Sequence, residues 1–241
     1  MTNTSTTPHI LEAFDHSLRE CRGLVVTMGS ITRQNLQSAF QGLMQRSDEA
    51  CNQAIADDDE VNQLDKKIDA AAHELLIRYQ PLAHDFREVI AAAKISNNLE
   101  RISDQASNIA KRARKVNKLP EFPEIKLVEP LFHLALGMLE DSLNCFTEPN
   151  TDTALSIVAR DKQLDKAHKK LIKHYTSLME TESGLVRPLL ELIFMVRFLE
   201  RIGDHCVNMA EDILFVITAR DVRYGGSKEL RKELAEQEQS S

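Results

Sequence analysis

Tryptophan is absent from the 241 residues, tyrosine occurs three times, and glycine (8) and proline (7) are sparse. So few aromatic and turn-forming residues leave little material for sheets and hairpins. Alanine, leucine, glutamate, lysine and glutamine fill long stretches instead, and these side chains lose little rotamer freedom in a helix. The four cysteines, Cys21, Cys51, Cys145 and Cys206, form no C-x-x-C pair, which argues against a zinc ribbon or a redox dithiol. Isolated cysteines at apolar positions behave as small core residues. Long hydrophobic runs are missing too. The most apolar segment, Leu185 to Leu199, is cut by Arg187, Pro188, Glu191 and Arg197, and a bilayer span needs roughly 20 mostly apolar residues. No excess of positive charge exists: the formal net charge is -7, a poor default for nucleic acid or anionic lipid. Residues Met1 to Pro8 are polar and lack the apolar core of a signal peptide. A cytoplasmic protein without membrane insertion or nucleic-acid partner is the expectation. No P-loop, G-x-G-x-x-G or nucleophile elbow occurs.

What is present is helical spacing. The 42% hydrophobic content is enough for a core. Phe14, Leu18, Cys21, Val25, Met28, Ile31, Leu36, Phe40 and Leu43 recur mostly three or four apart and predict a helix from about Pro8 to Arg46. Ser47 or Asp48 caps a second helix, with a break or bend near Asp57-Asp58-Asp59 and an end at Tyr79, before Pro81. A third runs from about His84 to Asn117. Lys118 to Pro130 carries Pro120, Pro123 and Pro130 and reads as a boundary. Helices follow at about 129–146, 151–182 and 185–222, and Gly225 to Ser241 reads as a polar, frayed tail.

Three helices, a linker and three helices invite a search for a repeat. Leu99-Glu100-Arg101-Ile102-Ser103-Asp104 matches Leu199-Glu200-Arg201-Ile202-Gly203-Asp204, and Asn108 matches Asn208. Over residues 99–110 and 199–210, seven of twelve positions are identical. Asp58-x-x-Val61 resembles Asp161-x-x-Leu164 at a different offset. The apolar seams repeat as well: Ile95, Leu99, Ile102, Ala106, Ile109 and Ala113 against Met195, Leu199, Ile202, Cys206, Met209 and Ile213. Alternating steps of four and three build a coiled-coil-like stripe. The fold class is therefore all-α, with two tandem, pseudo-symmetric three-helix bundles: residues 1–119, residues 120–224, and a tail at 225–241.

Glu100, Asp104 and Asn108 lie four apart on one helix face, as do Glu200, Asp204 and Asn208. At about 100° per residue each row is centred nearly opposite its seam, so packing of that seam does not account for it. Carboxylates about 6 Å apart repel by roughly 0.7 kcal/mol in bulk water and about 3 kcal/mol at an effective dielectric near 20. The larger repulsion calls for a cation. Oxygen-only donors suit Mg²⁺ or Mn²⁺ and accept iron; zinc is a further candidate. Asp58, Asp65, Asp161 and Asp165 are candidates to complete the shells. The competing interpretation is a solvated helix face neutralised by Arg101 and Arg201.

Other features are weaker. His205 reads as a surface histidine, and His73, His168 and His174 show no zinc spacing. Asp57-Asp58-Asp59-Glu60 reads as a capping and turn segment, without the spacing of an EF-hand.

The doubled L-E-R-I-x-D-x-x-x-N motif, with Phe14-Asp15, Met28-Gly29, Gln80-Pro81 and Asp85-Phe86-Arg87, resembles the PhoU family over nearly the whole chain. Ser103 stands where glycine is usual in the first motif, and Phe86 where leucine is typical. The resemblance implies two three-helix bundles, frequent homodimers and metal ions held by the acidic rows. It also implies a negative regulator of the phosphate-starvation response that modulates the phosphate-specific ABC transporter. The implied partners are the transporter's ATPase subunit and a membrane-bound sensor histidine kinase, and the implied catalytic activity is none. Two other readings stay open: a ferritin-like carboxylate metalloenzyme and a metal-free helical scaffold.

Overall fold

The computed structural model describes residues 6–223 and 226–238. Six long helices carry the fold: α1 Thr6–Met44, α2 Asp48–Tyr79, α3 Ala83–Val116, α4 Glu129–Thr147, α5 Thr151–Thr181 and α6 Val186–Thr218. A 3₁₀ segment, Pro123–Val128, lies within the proline-dense boundary, and a seventh helix, α7, spans Gly226–Glu238. There is no strand among the described residues.

α2 and α5 start where side chains satisfy their free N–H groups. The Ser47 hydroxyl accepts from the Ala50 N–H at 3.2 Å, and the Asn150 side chain accepts from the Thr153 N–H at 2.8 Å. Gln80 (φ 47°) and Ala219 (φ 57°) turn left-handed to close α2 and α6.

α1, α2 and α3 pack as one three-helix group, and α4, α5 and α6 as another. Val25, Met28 and Leu36 of α1 are fully buried with Val61 and Ile68 of α2 and Ile95, Leu99 and Ile102 of α3. Met138, Leu164, Met195, Leu199 and Ile202 do the same in the second group. The Tyr175 ring is fully buried, and its hydroxyl donates to the Glu124 carbonyl at 3.0 Å. All four cysteines are buried free thiols. Burial pushes the Cys21 and Cys51 thiols up to about 11 and Cys206 up to about 12.

The two groups join along α3 and α6, which cross the seam antiparallel. Arg112 ties α3 to Glu191 at 2.6 Å, its guanidinium 3.8 Å from the centre of the Phe194 ring, while Lys94 meets Asp212 at 2.8 Å at the other end. Arg33 reaches Glu140 at 3.4 Å, and the Phe40 and Phe132 rings lie 4.9 Å apart, which ties α1 to α4.

Two expectations change. The helix α2 runs unbroken through Asp57-Asp58-Asp59-Glu60. Ala54 and Val61, both fully buried, carry its core stripe across the charged run. Packing of one face outweighs the local preference of aspartate for caps and turns. The tail is also more ordered than its polarity suggests. Within it, α7 buries Leu230 and packs Leu234 against the core. Of that stretch, Gly225 and residues 239–241 lie outside the described residues, as do the first five residues of the N-terminus.

Candidate metal centre

α3 meets α2 through small side chains. Ala92, Ser96, Ser103 and Ala110 are buried on its α2 side, and they let the two backbones approach. Two of the serines hold aspartates of α2. Ser103 Oγ donates to Asp58 Oδ1 at 2.7 Å, and Ser96 Oγ donates to Asp65 Oδ1 at 2.7 Å. Asn35 of α1, fully buried, lies 2.9 Å from the Ser103 hydroxyl and extends this polar network into the core.

The first acidic row therefore borders a groove rather than an open face. Asp59, Glu60 and Asp65 of α2 and Glu100 of α3 rim a space of about 910 Å³ in which Lys66 is the one cation. The Glu100 side chain is only 19% exposed, against 40% for Asp104. Glu100 Oε2 is buried without a hydrogen bond, 3.3 Å from Arg101 Nε. Arg101 also reaches Asp104 at 3.7 Å. Lost hydration and then the Asp104 charge raise the Glu100 carboxyl, with further repulsion from Asp65 and Asp58. Asp58 is raised by lost hydration first and by Asp104 among its neighbours, against the lowering hydrogen bond from Ser103. Asn108 is half-buried further along α3.

The second half repeats the arrangement with different packing. Gly203 replaces serine, and Leu164 of α5 fills the space. Asp161 and Asp165 of α5 face Glu200 and Asp204 of α6. Asp204 is pushed up to about 6, first by lost hydration and then by Glu200, Asp161 and Asp165, while Arg201 opposes the shift. Asp161 is raised by lost hydration, Asp165 and Glu200. Asn208 turns elsewhere: its amide donates to Asn98 of α3 at 3.4 Å, across the seam between the halves. His205 is half-buried against the same Asn98, with 3.0 Å between Nδ1 and the amide oxygen, and is not the free surface histidine expected from its neighbours.

Eight carboxylates thus gather as two sets of four, Asp58, Asp65, Glu100 and Asp104, and Asp161, Asp165, Glu200 and Asp204. Among the described residues no three His, Cys, Asp or Glu side chains come together closely enough to hold a metal ion by themselves. The donor chemistry nevertheless fits a hard divalent cation: oxygen ligands from two facing helices, lost hydration and then mutual repulsion that raise four of the carboxyls, and a buried Glu100 oxygen without a hydrogen bond. Sequence reasoning missed Asp59 and Glu60, read as part of a turn. It also missed His168, whose two ring nitrogens are buried without a hydrogen bond. Extending the Asp58/Asp161 correspondence along α2 and α5 places His168 opposite Asp65 and flags it.

The raised Asp204 carboxyl sets a pH dependence. The folded state binds this proton more tightly than the unfolded chain, whose value is near 3.8. Its contribution therefore favours folding at low pH and is lost as pH rises through about 6. Asp204 is largely exposed, so solvent screens much of the effect. Asp204→Asn is expected to stabilise the metal-free protein by on the order of 1 kcal/mol at pH 7.5 and by little at pH 4.5. Urea unfolding at the two pH values measures this, and an equal gain at both contradicts it.

The family model described as PhoU domain matches this chain twice, over residues 25–113 and 128–213, one match on each three-helix group. A phosphate-specific transport system accessory protein PhoU homolog from Pseudomonas aeruginosa is 30% identical over 231 residues, covering 95% of this chain and 96% of that protein. The phosphate-specific transport system accessory protein PhoU of Escherichia coli K12 is 30% identical over 235 residues, 98% of each chain. The crystal structure of PhoU from Pseudomonas aeruginosa superposes with a TM-score of 0.84 at 29% identity, covering 86% of this chain and 100% of that one. The phosphate transport system regulatory protein PhoU from Streptococcus pneumoniae gives 0.79 at 26% identity, over 87% and 99%.

Proposed function

The chain belongs to the PhoU family, and from that premise we propose that it is a cytoplasmic, metal-binding adaptor of phosphate-specific transport. It restrains the phosphate-starvation response and modulates uptake through the phosphate-specific ABC transporter. Its partners are the transporter's ATPase subunit and the sensor histidine kinase, and it works as a homodimer. Among the described residues no helix is long and apolar enough to cross a membrane.

The observation that carries the metal-binding part is the recurrence of facing carboxylates, α2 against α3 and α5 against α6. A bound Mg²⁺ or Mn²⁺ supplies positive charge between two helices that otherwise repel. Asp58, Asp65, Glu100 and Asp104 are the residues to hold it in the first half, and Asp161, Asp165, Glu200 and Asp204 in the second. Asn208 contributes at most an outer contact, since it is engaged by Asn98, and Asn108 stands further along α3 as a candidate oxygen donor. A ferritin-like enzyme fits less well, because its ligands project into the bundle core, whereas these carboxylates line the edge of the helix pairs.

Glu200→Ala with Asp204→Ala is expected to weaken Mn²⁺ binding at the second site by at least about tenfold, the lower end for loss of metal-site groups, and to leave the site at Glu100 and Asp104 intact. Isothermal titration of chelator-treated protein gives stoichiometry and affinity together. Unchanged values rule out the site. For the adaptor role, the purified ATPase subunit should co-elute with the chain in size-exclusion chromatography, and separate elution at micromolar concentrations of both counts against it.

A further inference from the structure

We propose that the groove between α4 and α5 is a docking site for an acidic amphipathic helix presented by a protein partner. The groove has a volume of about 410 Å³. Leu127, Leu131 and Leu171 form its apolar floor and walls, and Lys126, Lys170 and His174 stand at its rim. Leu131 is 1% exposed at the bottom, whereas Leu127 is 42% exposed at the entrance. No carboxylate lines it.

Charge selects the occupant. On α5, Lys162, Lys166, Lys169, Lys170 and Lys173 fall within an arc of about 100° at 100° per residue, beside the groove. Of these only Lys169 has a carboxylate partner among the described residues, Asp165 at 3.3 Å. In a chain of net charge -7, this band inverts the local sign. An anionic ligand with an apolar stripe satisfies both features.

Shape then separates three anionic classes. A bilayer surface takes up protruding apolar side chains beneath a basic face, but here the apolar floor is recessed. A nucleic-acid backbone pairs with lysines and leaves such a floor unfilled. A helix with leucine-like side chains at i, i+3, i+4 and i+7 and glutamates alongside fills the floor and meets the lysines at once. The inference is independent of whether the acidic grooves on α2–α3 and α5–α6 hold metal.

The probe is a fluorescein-labelled helical peptide of about 18 residues, five turns, built from leucine, glutamate and alanine with leucines at that spacing. A control peptide carries lysine in place of every glutamate. Fluorescence anisotropy with the full chain is expected to show the glutamate peptide binding at least about tenfold more tightly than the control, with affinity falling as salt rises. Lys126→Glu with Lys166→Glu, Lys170→Glu and Lys173→Glu should reverse the preference, so that the lysine peptide now binds better. A misfolded protein cannot produce that reversal. Equal affinity for both peptides, or an unchanged preference in the four-fold variant, overturns the proposal. So does binding to phosphatidylglycerol vesicles that depends on the same lysines while neither peptide binds, which assigns the face to a membrane.

Discussion

Leu199→Ala is expected to lower the unfolding free energy by about 2–5 kcal/mol, the range for emptying a fully buried leucine site. Leu199 has no exposed surface and sits midway along α6, the helix that packs on α4 and α5 of its own group and on α3 of the other. For a chain of this length each kilocalorie moves the melting temperature by about 2–4 °C. Leu190→Ala on the same helix is the control, because Leu190 is exposed and substitutions at such positions stay within about 0.5 kcal/mol. Urea titration followed by circular dichroism gives both numbers. A Leu199→Ala loss no larger than that of Leu190→Ala contradicts the packing described for α6.

Gly203→Val is expected to cost about 1–3 kcal/mol, the usual penalty for overpacking, and to weaken the second acidic site at the same time. A Cβ at Gly203 comes within 2.1 Å of Leu164 Cδ2, with Met138 Cε at 3.7 Å behind it. Leu164 and Met138 are both fully buried, so the leucine cannot swing aside without disturbing the next layer. Replacing glycine in a helix regains a few tenths of a kilocalorie of propensity, too little to compensate. The strain is relieved by moving α5 away from α6, which separates Asp161 and Asp165 from Glu200 and Asp204. Mn²⁺ titration should show loss at this site and retention at Glu100 and Asp104, where Ser103 already occupies the equivalent position. A variant with unaltered stability and both sites intact shows that α5 is not positioned by this contact.

Much of the architecture was legible because two kinds of periodicity agreed. The four-three spacing from Ile95 to Ala113 and from Met195 to Ile213 marked the buried faces of α3 and α6, and the repetition of L-E-R-I-x-D marked the halves. The same repetition drew attention to Glu100, Asp104, Glu200 and Asp204 before any helix was placed in space. Their environment was harder to read. A helical wheel centred on one seam put the rows on the far side, but α3 is buried on a second flank through Ser96, Ser103 and Ser107. Serines at helical spacing look like surface positions in a sequence. Here they are the contact with α2, and they turn an outward row into the edge of a groove. The aspartate run in α2 misled for the opposite reason, since its local preference for turns is real but is outweighed by Ala54 and Val61. Asn98 meeting His205 and Asn208 depends on how the two halves cross, which no single helix encodes. α7 rests on two leucines, Leu230 and Leu234, too few for a periodic signal.

The hidden thiols have a consequence for the chemistry available at the surface. With Cys21, Cys51, Cys145 and Cys206 all inside and their thiols raised by burial, an oxidant or alkylating agent meets no cysteine thiolate on the surface of the folded chain. Disulfide exchange between copies of the chain therefore waits on unfolding.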